Sequence, residues 1–316
     1  MRALSIALLL SAALVPPAFA EEAGDWLARL AKADQQQRFH GTFVYERNGS
    51  FSTHRVWRQL GADGKMSERL LQLDGAEQEI LKVDGRVQCI AGGMADQVEG
   101  AAFWPSRTLD PARLQSFYEL KMAGHSRIAG RQAVVLLLSP RDQHRYGFEL
   151  HLDQETALPL KSLLLNEKGL LLERFQFAEF DPFAEFDSSS LLPGDACRPV
   201  RARAEPVSVK AGWHAQWLPP GFELSGVVER KGADDAPVVF MTYADGLARF
   251  SIFVESLNGS PVEDARHQLG PTVVVSRRVT APEGDYMITV VGEIPFGTAE
   301  RVAVSLSADE GVVASP

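Results

Sequence analysis

The spacing of apolar residues changes near the start of the chain from a helical period to a strand period. Trp26, Leu27 and Leu30 recur at helical spacing within residues 25–39, and Asp25 lies where a helix N-cap is expected. From His40 onwards apolar residues alternate with polar ones, which is typical of half-buried strands. The pattern therefore predicts one helix followed by strands.

Short strand-like runs separated by turn residues fill the region 40–180. The turn signals are the pairs Asn48-Gly49, Asp63-Gly64, Asp74-Gly75 and Asp84-Gly85. Strands joined by such short turns pair in antiparallel fashion, because parallel pairing needs long crossover connections. A short helix is predicted at 110–120, where Pro111 suits a first helical turn. Residues 40–180 are therefore predicted to form a large curved antiparallel sheet, within a half-barrel domain that spans residues 21–180.

The alternation of apolar and polar residues is absent between residues 181 and 212. This stretch is rich in Pro, Ser, Ala and charged residues and is predicted to be a linker. From Trp213 five strand-like runs follow, and helices are predicted at 261–269 and 297–306. Residues 213–316 are therefore predicted to be a small α+β domain. The predicted fold class is α+β, a large curved antiparallel half-barrel followed by a smaller domain.

Residues 1–20 have the features of a secretory signal peptide. Arg2 supplies a positive charge, residues 3–15 are apolar, and Ala18-Phe19-Ala20 is a small-residue cleavage site. The apolar run is shorter than the ~20 residues that a membrane-spanning helix needs. We expect cleavage after Ala20 and a periplasmic location for the mature chain.

The predicted export of the chain bears on whether its two cysteines form a disulfide. An oxidising compartment favours a disulfide between Cys89 and Cys197, and two buried inert thiols are the alternative. Their separation does not suit a redox pair or a cysteine-based metal site.

The net charge of −9 argues against nucleic-acid binding, which would need a basic face. One local exception lies in the predicted linker, whose basic residues are Arg198, Arg201, Arg203 and Lys210. These residues either keep a flexible joint soluble or bind an anionic partner such as a lipid headgroup.

The sequence carries no recognisable catalytic or cofactor motif. No two of the seven histidines have the spacing of a metal-binding motif such as H-E-x-x-H. The sequence also has neither a nucleophile elbow nor a phosphate-binding loop. No cofactor is predicted, and an enzyme remains only a residual reading. A curved sheet that closes partly leaves a concave apolar face, which suits lipids or peptides. Candidate lining residues of a lipid pocket, with plain core packing as the alternative, are Phe43, Trp57, Phe103, Trp104, Phe117 and Tyr118.

Several long runs in both predicted domains resemble the MucB/RseB family. They include GTFVYERNGSFSTHRVW (41–57), PRDQHRYGFELHLD (140–153), WLPPGF (217–222) and VVGEIPFGTAERVA (290–303). The resemblance implies a LolA/LolB-like half-barrel joined to a smaller α+β domain. It also implies a periplasmic negative regulator of a sigma-E (AlgU) type envelope stress response. Such a regulator binds the periplasmic domain of a MucA/RseA-type anti-sigma factor and shields it from an AlgW/DegS-type site-one protease. Lipid or lipopolysaccharide then releases it, and homo-oligomers are expected.

The anti-sigma segment is predicted to lie across both domains, with its main docking surface on the second. The candidate contacts are Trp213, Trp217, Phe222, Arg249 and Phe250, because Trp and Arg are common interface anchors. Trp217 and Phe222 could equally belong to the core of the second domain. The rival reading is a periplasmic lipid or lipoprotein carrier resembling LolA.

Overall fold

The computed structural model describes residues 18–36, 38–61, 63–92, 109–183, 185, 187–200, 212–232, 236–259 and 262–309. Some residues named above lie outside this part of the chain. They are residues 1–17 of the predicted signal peptide, Phe103, Trp104, Arg201, Arg203 and Lys210.

The first sheet is antiparallel throughout and, within the described residues, has eleven strands. They are β1 (Phe39–Arg47), β2 (Ser50–Leu60), β3 (Met66–Gln72), β4 (Glu79–Val83), β5 (Arg86–Ala91), β6 (Tyr118–Ile128), β7 (Arg131–Pro140), β8 (Gly147–Asp153), β9 (Pro159–Leu165), β10 (Leu171–Asp181) and β11 (Arg198–Pro199). Their order is β11-β5-β4-β3-β2-β1-β10-β9-β8-β7-β6, so β11 and β6 are edges and the sheet does not close. The predicted curved half-barrel is confirmed.

Two helices pack on one face of this sheet. The first, α1 (Ala18–Gln36), packs on β6 and buries Trp26, Leu27 and Leu30 in the core that also holds Phe39 and Phe43 of β1. The second, α2 (Pro111–Phe117), begins at Asp110, whose carboxylate accepts a hydrogen bond from the Arg113 backbone N–H at 3.1 Å. The helix predicted at 110–120 is therefore shorter than expected, and its last three residues begin β6.

The second sheet has six antiparallel strands within the described residues. They are β13 (Glu223–Lys231), β14 (Pro237–Ala244), β15 (Arg249–Ser256), β16 (Ala265–Leu269), β17 (Thr272–Ala281) and β18 (Gly284–Gly292), in the order β13-β14-β15-β18-β17-β16. A separate ribbon pairs β12 (Trp213–Ala215) with β19 (Leu306–Ala308). The helix α3 (Phe296–Val304) packs on β17 and β18 and confirms the helix predicted at 297–306.

The helix predicted at 261–269 is wrong. Residues 265–269 form the edge strand β16. The two-residue turn Gly270–Pro271 connects β16 to β17, and the two strands pair in antiparallel fashion. Ala, Arg, Gln and Leu favour helices, but cross-strand pairing overrides such weak local preferences.

The first part of the predicted linker lies against the first sheet. The predicted disulfide between Cys89 and Cys197 is confirmed, with Sγ atoms 2.03 Å apart. Buried Glu79 accepts hydrogen bonds from Arg69 Nε at 2.7 Å and from the Gly194 backbone N–H at 3.1 Å. With β11 paired to β5, these contacts hold this segment on the sheet.

Candidate functional site at the junction of the two sheets

Two charged clusters join the first sheet to the second. The buried clasp consists of Arg145 with Asp142, Asp245 and the Pro220 carbonyl. The rim cluster consists of Tyr45, Arg47 and Glu173 on the first sheet with Thr272 and Glu293 on the second.

Arg145 is the centre of the buried clasp. Its side chain is 0% exposed, although it immediately precedes Tyr146 and β8 in a turn. Its Nε and Nη2 donate to the Asp142 carboxylate at 3.1 and 2.9 Å. Its Nη1 donates to Asp245 Oδ2 at 2.5 Å, and its Nη2 donates to the Pro220 carbonyl oxygen at 2.5 Å. The planar guanidinium group thereby bonds residues of both units at once, which fixes their relative position at this point.

Aromatic rings shield this ionic contact from water. The Arg145 guanidinium carbon lies 4.9 Å from the Phe117 ring centroid and 5.2 Å from that of Phe222. Burial raises the pKa of Asp245, while backbone N–H groups and Arg145 act in the opposite direction. Removing one partner of such a pair leaves an uncompensated buried charge, which costs about 3–5 kcal/mol.

The turn that carries Arg145 makes further contacts with the second unit. His144 Nδ1 lies 3.1 Å from Thr298 Oγ1, and the Tyr146 hydroxyl donates to the Ile294 carbonyl at 3.1 Å. The Trp217 ring lies 5.1 Å from the His144 ring. Three of the runs that carry the family resemblance, 140–153, 217–222 and 290–303, therefore meet at the junction.

The rim cluster joins the end of β1 and the start of β10 in the first sheet to Thr272 and Glu293 of the second sheet. Arg47 donates to Thr272 Oγ1 and lies 3.3 Å from the Glu293 carboxylate and 3.7 Å from that of Glu173. The Tyr45 hydroxyl donates to Glu173 at 2.5 Å. Burial, and then the negative charge of Glu293, raise the pKa of Glu173 to about 7.

The structure does not bring the described candidates for the lipid pocket into one lining. Phe43 and Tyr118 are buried in the first core, where α1 covers the sheet. Phe117 belongs to the junction. Trp57 lies on the opposite face of the sheet from Phe43: the Phe43 ring stacks on that of His54, and Trp57 is an odd number of residues further along β2.

The partner-binding candidates are also divided. Trp213, Phe222 and Phe250 are 9%, 4% and 1% exposed and pack in the second core. Trp217 is half-buried at the junction, where the Arg301 guanidinium lies 3.9 Å from its ring. Arg249 is exposed, as is Arg198 of the basic linker.

Sequence reasoning missed the charged residues of the junction. Arg145 looks like the first residue of an alternating strand and Asp245 like an ordinary turn residue, so neither stands out as part of a site. Only the resemblance of the run 140–153 to a family pointed to this turn. No cluster of His, Cys, Asp and Glu that could hold a metal ion occurs among the described residues. No helix of the described chain is long and apolar enough to cross a membrane.

These features define a class of protein: an open antiparallel half-barrel joined to a smaller α+β unit through a buried ionic junction. The chain belongs to the MucB/RseB family. The MucB/RseB N-terminal domain matches residues 22–194 and the MucB/RseB C-terminal domain matches residues 207–307. The resemblance stated from the sequence is thereby confirmed.

Relatives and solved structures agree over nearly the whole chain. The sigma factor AlgU regulatory protein MucB of Pseudomonas aeruginosa is 56% identical over 308 residues, which cover 97% of this chain and 98% of that protein. The complex structure of Pseudomonas aeruginosa MucA/MucB is 56% identical, with a TM-score of 0.82, and covers 92% of this chain and 100% of that chain. A crystal structure of MucB is 54% identical, with a TM-score of 0.70, and the match covers 92% of this chain and 98% of that chain.

Proposed function

We propose that this chain binds the periplasmic domain of a membrane-anchored anti-sigma factor of the MucA/RseA type. In doing so it restrains an envelope stress response of the AlgU/sigma-E type. The observation that carries this proposal is the 56% identity to MucB over 97% of the chain. The agreement with the solved MucA/MucB complex supports it.

The proposed mechanism is steric protection of the partner. The bound regulator covers the stretch that an AlgW/DegS-type site-one protease would cut, so the anti-sigma factor keeps its sigma factor sequestered. Lipid or lipopolysaccharide releases the regulator. By linkage, a lipid that weakens partner binding must itself be bound more weakly in the presence of the partner, by the same factor.

The junction supplies a physical element for such a switch. A ligand shifts an equilibrium between two arrangements only by its difference in affinity for them. The buried clasp and the rim cluster consist of directional hydrogen bonds and ion pairs, which are made in one arrangement and broken in another. A lipid that prefers the broken arrangement would therefore oppose a partner that prefers the intact one.

The proposed site of action is the periplasm, with the signal peptide removed after Ala20. The predicted signal peptide and the Cys89–Cys197 disulfide support export, because disulfides persist in oxidising compartments. A homo-oligomer and a role for the basic linker in lipid binding remain predictions.

The test is a protease-protection assay. The mature chain is mixed with an anti-sigma periplasmic domain and its activated site-one protease, with and without lipopolysaccharide or phospholipid. We expect slower cleavage of the anti-sigma domain, restored by lipid. Unchanged cleavage with folded protein would contradict the proposal. Lipid transfer between vesicles without any anti-sigma factor would instead identify a carrier.

A further inference from the structure

The rim cluster places two carboxylates from different units against one guanidinium. Arg47 on β1 and Glu173 on β10 belong to the same sheet, with 3.7 Å between Arg47 Nη1 and Glu173 Oε2. Glu293 follows β18 of the second sheet, with 3.3 Å between Arg47 Nη2 and Glu293 Oε1. If both carboxylates are ionised, the three side chains carry a net charge of −1. One guanidinium then neutralises only one of them.

Contacts with the second unit hold Arg47 between the two carboxylates. Its Nη2 donates to Thr272 Oγ1 at the start of β17. The turn between β16 and β17 lies against its side chain, because a Cβ atom on Gly270 would lie 3.2 Å from Arg47 Cγ and 3.7 Å from its Nε. The guanidinium therefore stays between Glu173 and Glu293 while the two units are in contact.

Glu173 is the group of this cluster that changes charge near neutral pH. Its side chain is 16% exposed, whereas that of Glu293 is 37% exposed. Burial, and then the negative charge of Glu293, raise the pKa of Glu173 from its ordinary value of 4.5 to about 7, while the Tyr45 hydroxyl and Arg47 act in the opposite direction. Part of this rise depends on the second unit, because Glu293 belongs to it.

The tyrosines that face the cluster do not titrate in the same range. Tyr45 donates to Glu173 at 2.5 Å, and burial, followed by the charge of Glu173, raises the pKa of Tyr45. Burial, followed by the charges of Glu167 and Glu293, raises the pKa of Tyr146 to about 12. Both hydroxyls therefore stay neutral between pH 6 and pH 8, and so does their contribution to the charge of the rim.

The protonation state of Glu173 decides which unit supplies the counter-ion of Arg47. When Glu173 is neutral, the carboxylate that pairs with Arg47 is Glu293, across the junction. When Glu173 is ionised, Arg47 can pair within its own sheet, and repulsion between the two carboxylates opposes contact of the units. The closed arrangement therefore binds this proton more tightly than the open one does, and a ligand with such a preference favours closing.

We propose that the rim cluster is a pH-dependent latch between the two units. Proton uptake by Glu173 holds the rim closed through Arg47 and Glu293, and proton release loosens it. The inference goes beyond the proposed function, because it depends neither on a protein partner nor on a lipid.

Linkage gives the size of the effect. The contribution of Glu173 to closing is complete below pH 4.5 and is lost as the pH rises through 7, because its pKa is raised in the closed arrangement. If the open arrangement restores the ordinary pKa of 4.5, the ratio of open to closed molecules rises about tenfold between pH 6 and pH 8.

The ratio is measured by single-molecule energy transfer in the full mature chain with its disulfide intact. Fluorophores are attached through Lys168→Cys, in the turn before β10, and Glu283→Cys, in the turn between β17 and β18, because both positions are exposed. The measurement is made on the otherwise wild-type chain and on Arg145→Met, in which the weaker buried clasp raises the open population. We expect the ratio to rise about tenfold between pH 6 and pH 8.

The matched variants separate charge from structure. In Glu173→Gln the amide oxygen can still accept from Tyr45, so the ratio should change less than about twofold over this range and stay near the wild-type value at pH 6. The control is Glu46→Gln, because Glu46 pairs with Arg174 of the same sheet at 3.4 Å. This control should keep the tenfold rise. A purely structural role of Glu173 would shift the ratio equally at every pH.

A second readout needs no open population. Carbon-13 NMR of the Glu173 carboxyl in the wild-type chain should show a titration midpoint near pH 7. In Glu293→Gln the midpoint should move to lower pH, because the charge that opposes ionisation of Glu173 is gone.

The outcomes decide the inference. A tenfold rise that Glu173→Gln abolishes and Glu46→Gln keeps supports the latch. A rise of less than about twofold overturns it, as does a single closed population at pH 8 in both the wild-type and the Arg145→Met chain. An unchanged rise in Glu173→Gln also overturns it, since His144 or another group would then be titrating. A wild-type midpoint near pH 4.5 has the same consequence.

Discussion

The buried clasp gives the most quantitative prediction. Replacing Arg145 with Met removes hydrogen bonds to Asp142, Asp245 and the Pro220 carbonyl, and it leaves the fully buried Asp245 carboxylate without its cation. Loss of one partner of a buried ion pair costs about 3–5 kcal/mol. At 1.4 kcal/mol per factor of ten, the equilibrium between the closed and the open junction should shift by about a hundredfold to a few thousandfold.

A second variant tests the charge alone. In Asp245→Asn the remaining oxygen can still accept hydrogen bonds from the Leu247 and Ala248 backbone N–H groups, which bind Oδ1 at 2.8 and 2.7 Å. The new amide group would then face Arg145 with its N–H donors. We expect a loss comparable to that in Arg145→Met, and in the double variant a loss smaller than the sum, because the two residues share one interaction.

The assays separate stability from arrangement. Chemical unfolding followed by tryptophan fluorescence should show two transitions in place of one, because the two cores lose their coupling. Small-angle scattering should show a larger radius of gyration for a folded chain. The matched control is Arg113→Met, since Arg113 also spans the junction, at 3.0 Å from Glu223 and 2.7 Å from the Gly221 carbonyl oxygen, but Glu223 is 72% exposed and needs no buried cation. Such exposed pairs contribute at most about 1 kcal/mol. An Arg145→Met variant with unchanged unfolding and scattering would refute the reasoning.

Three further predictions concern pH and the disulfide. Burial lowers the pKa of His54 to about 4, so its contribution to stability is complete above pH 6.5 and is lost as the pH falls towards 4. In urea titrations, His54→Asn should therefore lose less free energy of unfolding between pH 7 and pH 5 than the wild type does. The pKa of Glu173 is raised to about 7, so its contribution to stability is complete below pH 4.5 and is lost as the pH rises through 7. The free energy of unfolding of Glu173→Gln should therefore change less between pH 6 and pH 8 than that of the wild type. An unchanged dependence on pH would count against the rim cluster. Paired Cys89→Ala and Cys197→Ala substitutions should lower the free energy of unfolding by about 4–5 kcal/mol on the chain-entropy model, and a loss below about 1 kcal/mol would show that the segment 187–200 is held without the bond.

The sequence predicted the local structure better than the packing. The Asn48-Gly49 turn, the alternating strands and α3 follow from period and turn chemistry, and Asn48 and Gly49 both have positive φ. The strand β6 was harder to see, because Gly124 at a bulge interrupts its alternation. The edge strand β16 has four exposed residues in succession, so no apolar period marks it.

The candidate site residues could not be assigned to one surface from the sequence, because the type of a residue does not reveal which face of a sheet it occupies in three dimensions. Phe43 and Trp57 are both large and aromatic, yet they lie on opposite faces of the first sheet. Phe250 and Arg249 are neighbours, of which one is buried and the other exposed. The junction consists of turn residues that meet only after both sheets have formed, so local periodicity has no means of pairing Arg145 with Asp245.

The chemistry of the junction suits a regulator because it makes the choice between arrangements discrete. Apolar contacts weaken gradually as two surfaces slide, since burial is non-directional. A guanidinium that donates to Asp142, Asp245 and the Pro220 carbonyl loses its partners together when the units move apart. The rim cluster adds a second set of directional contacts, through Arg47. The Arg145→Met variant should therefore weaken the binding of a partner that requires the intact junction, because the arrangement with the junction made becomes less populated.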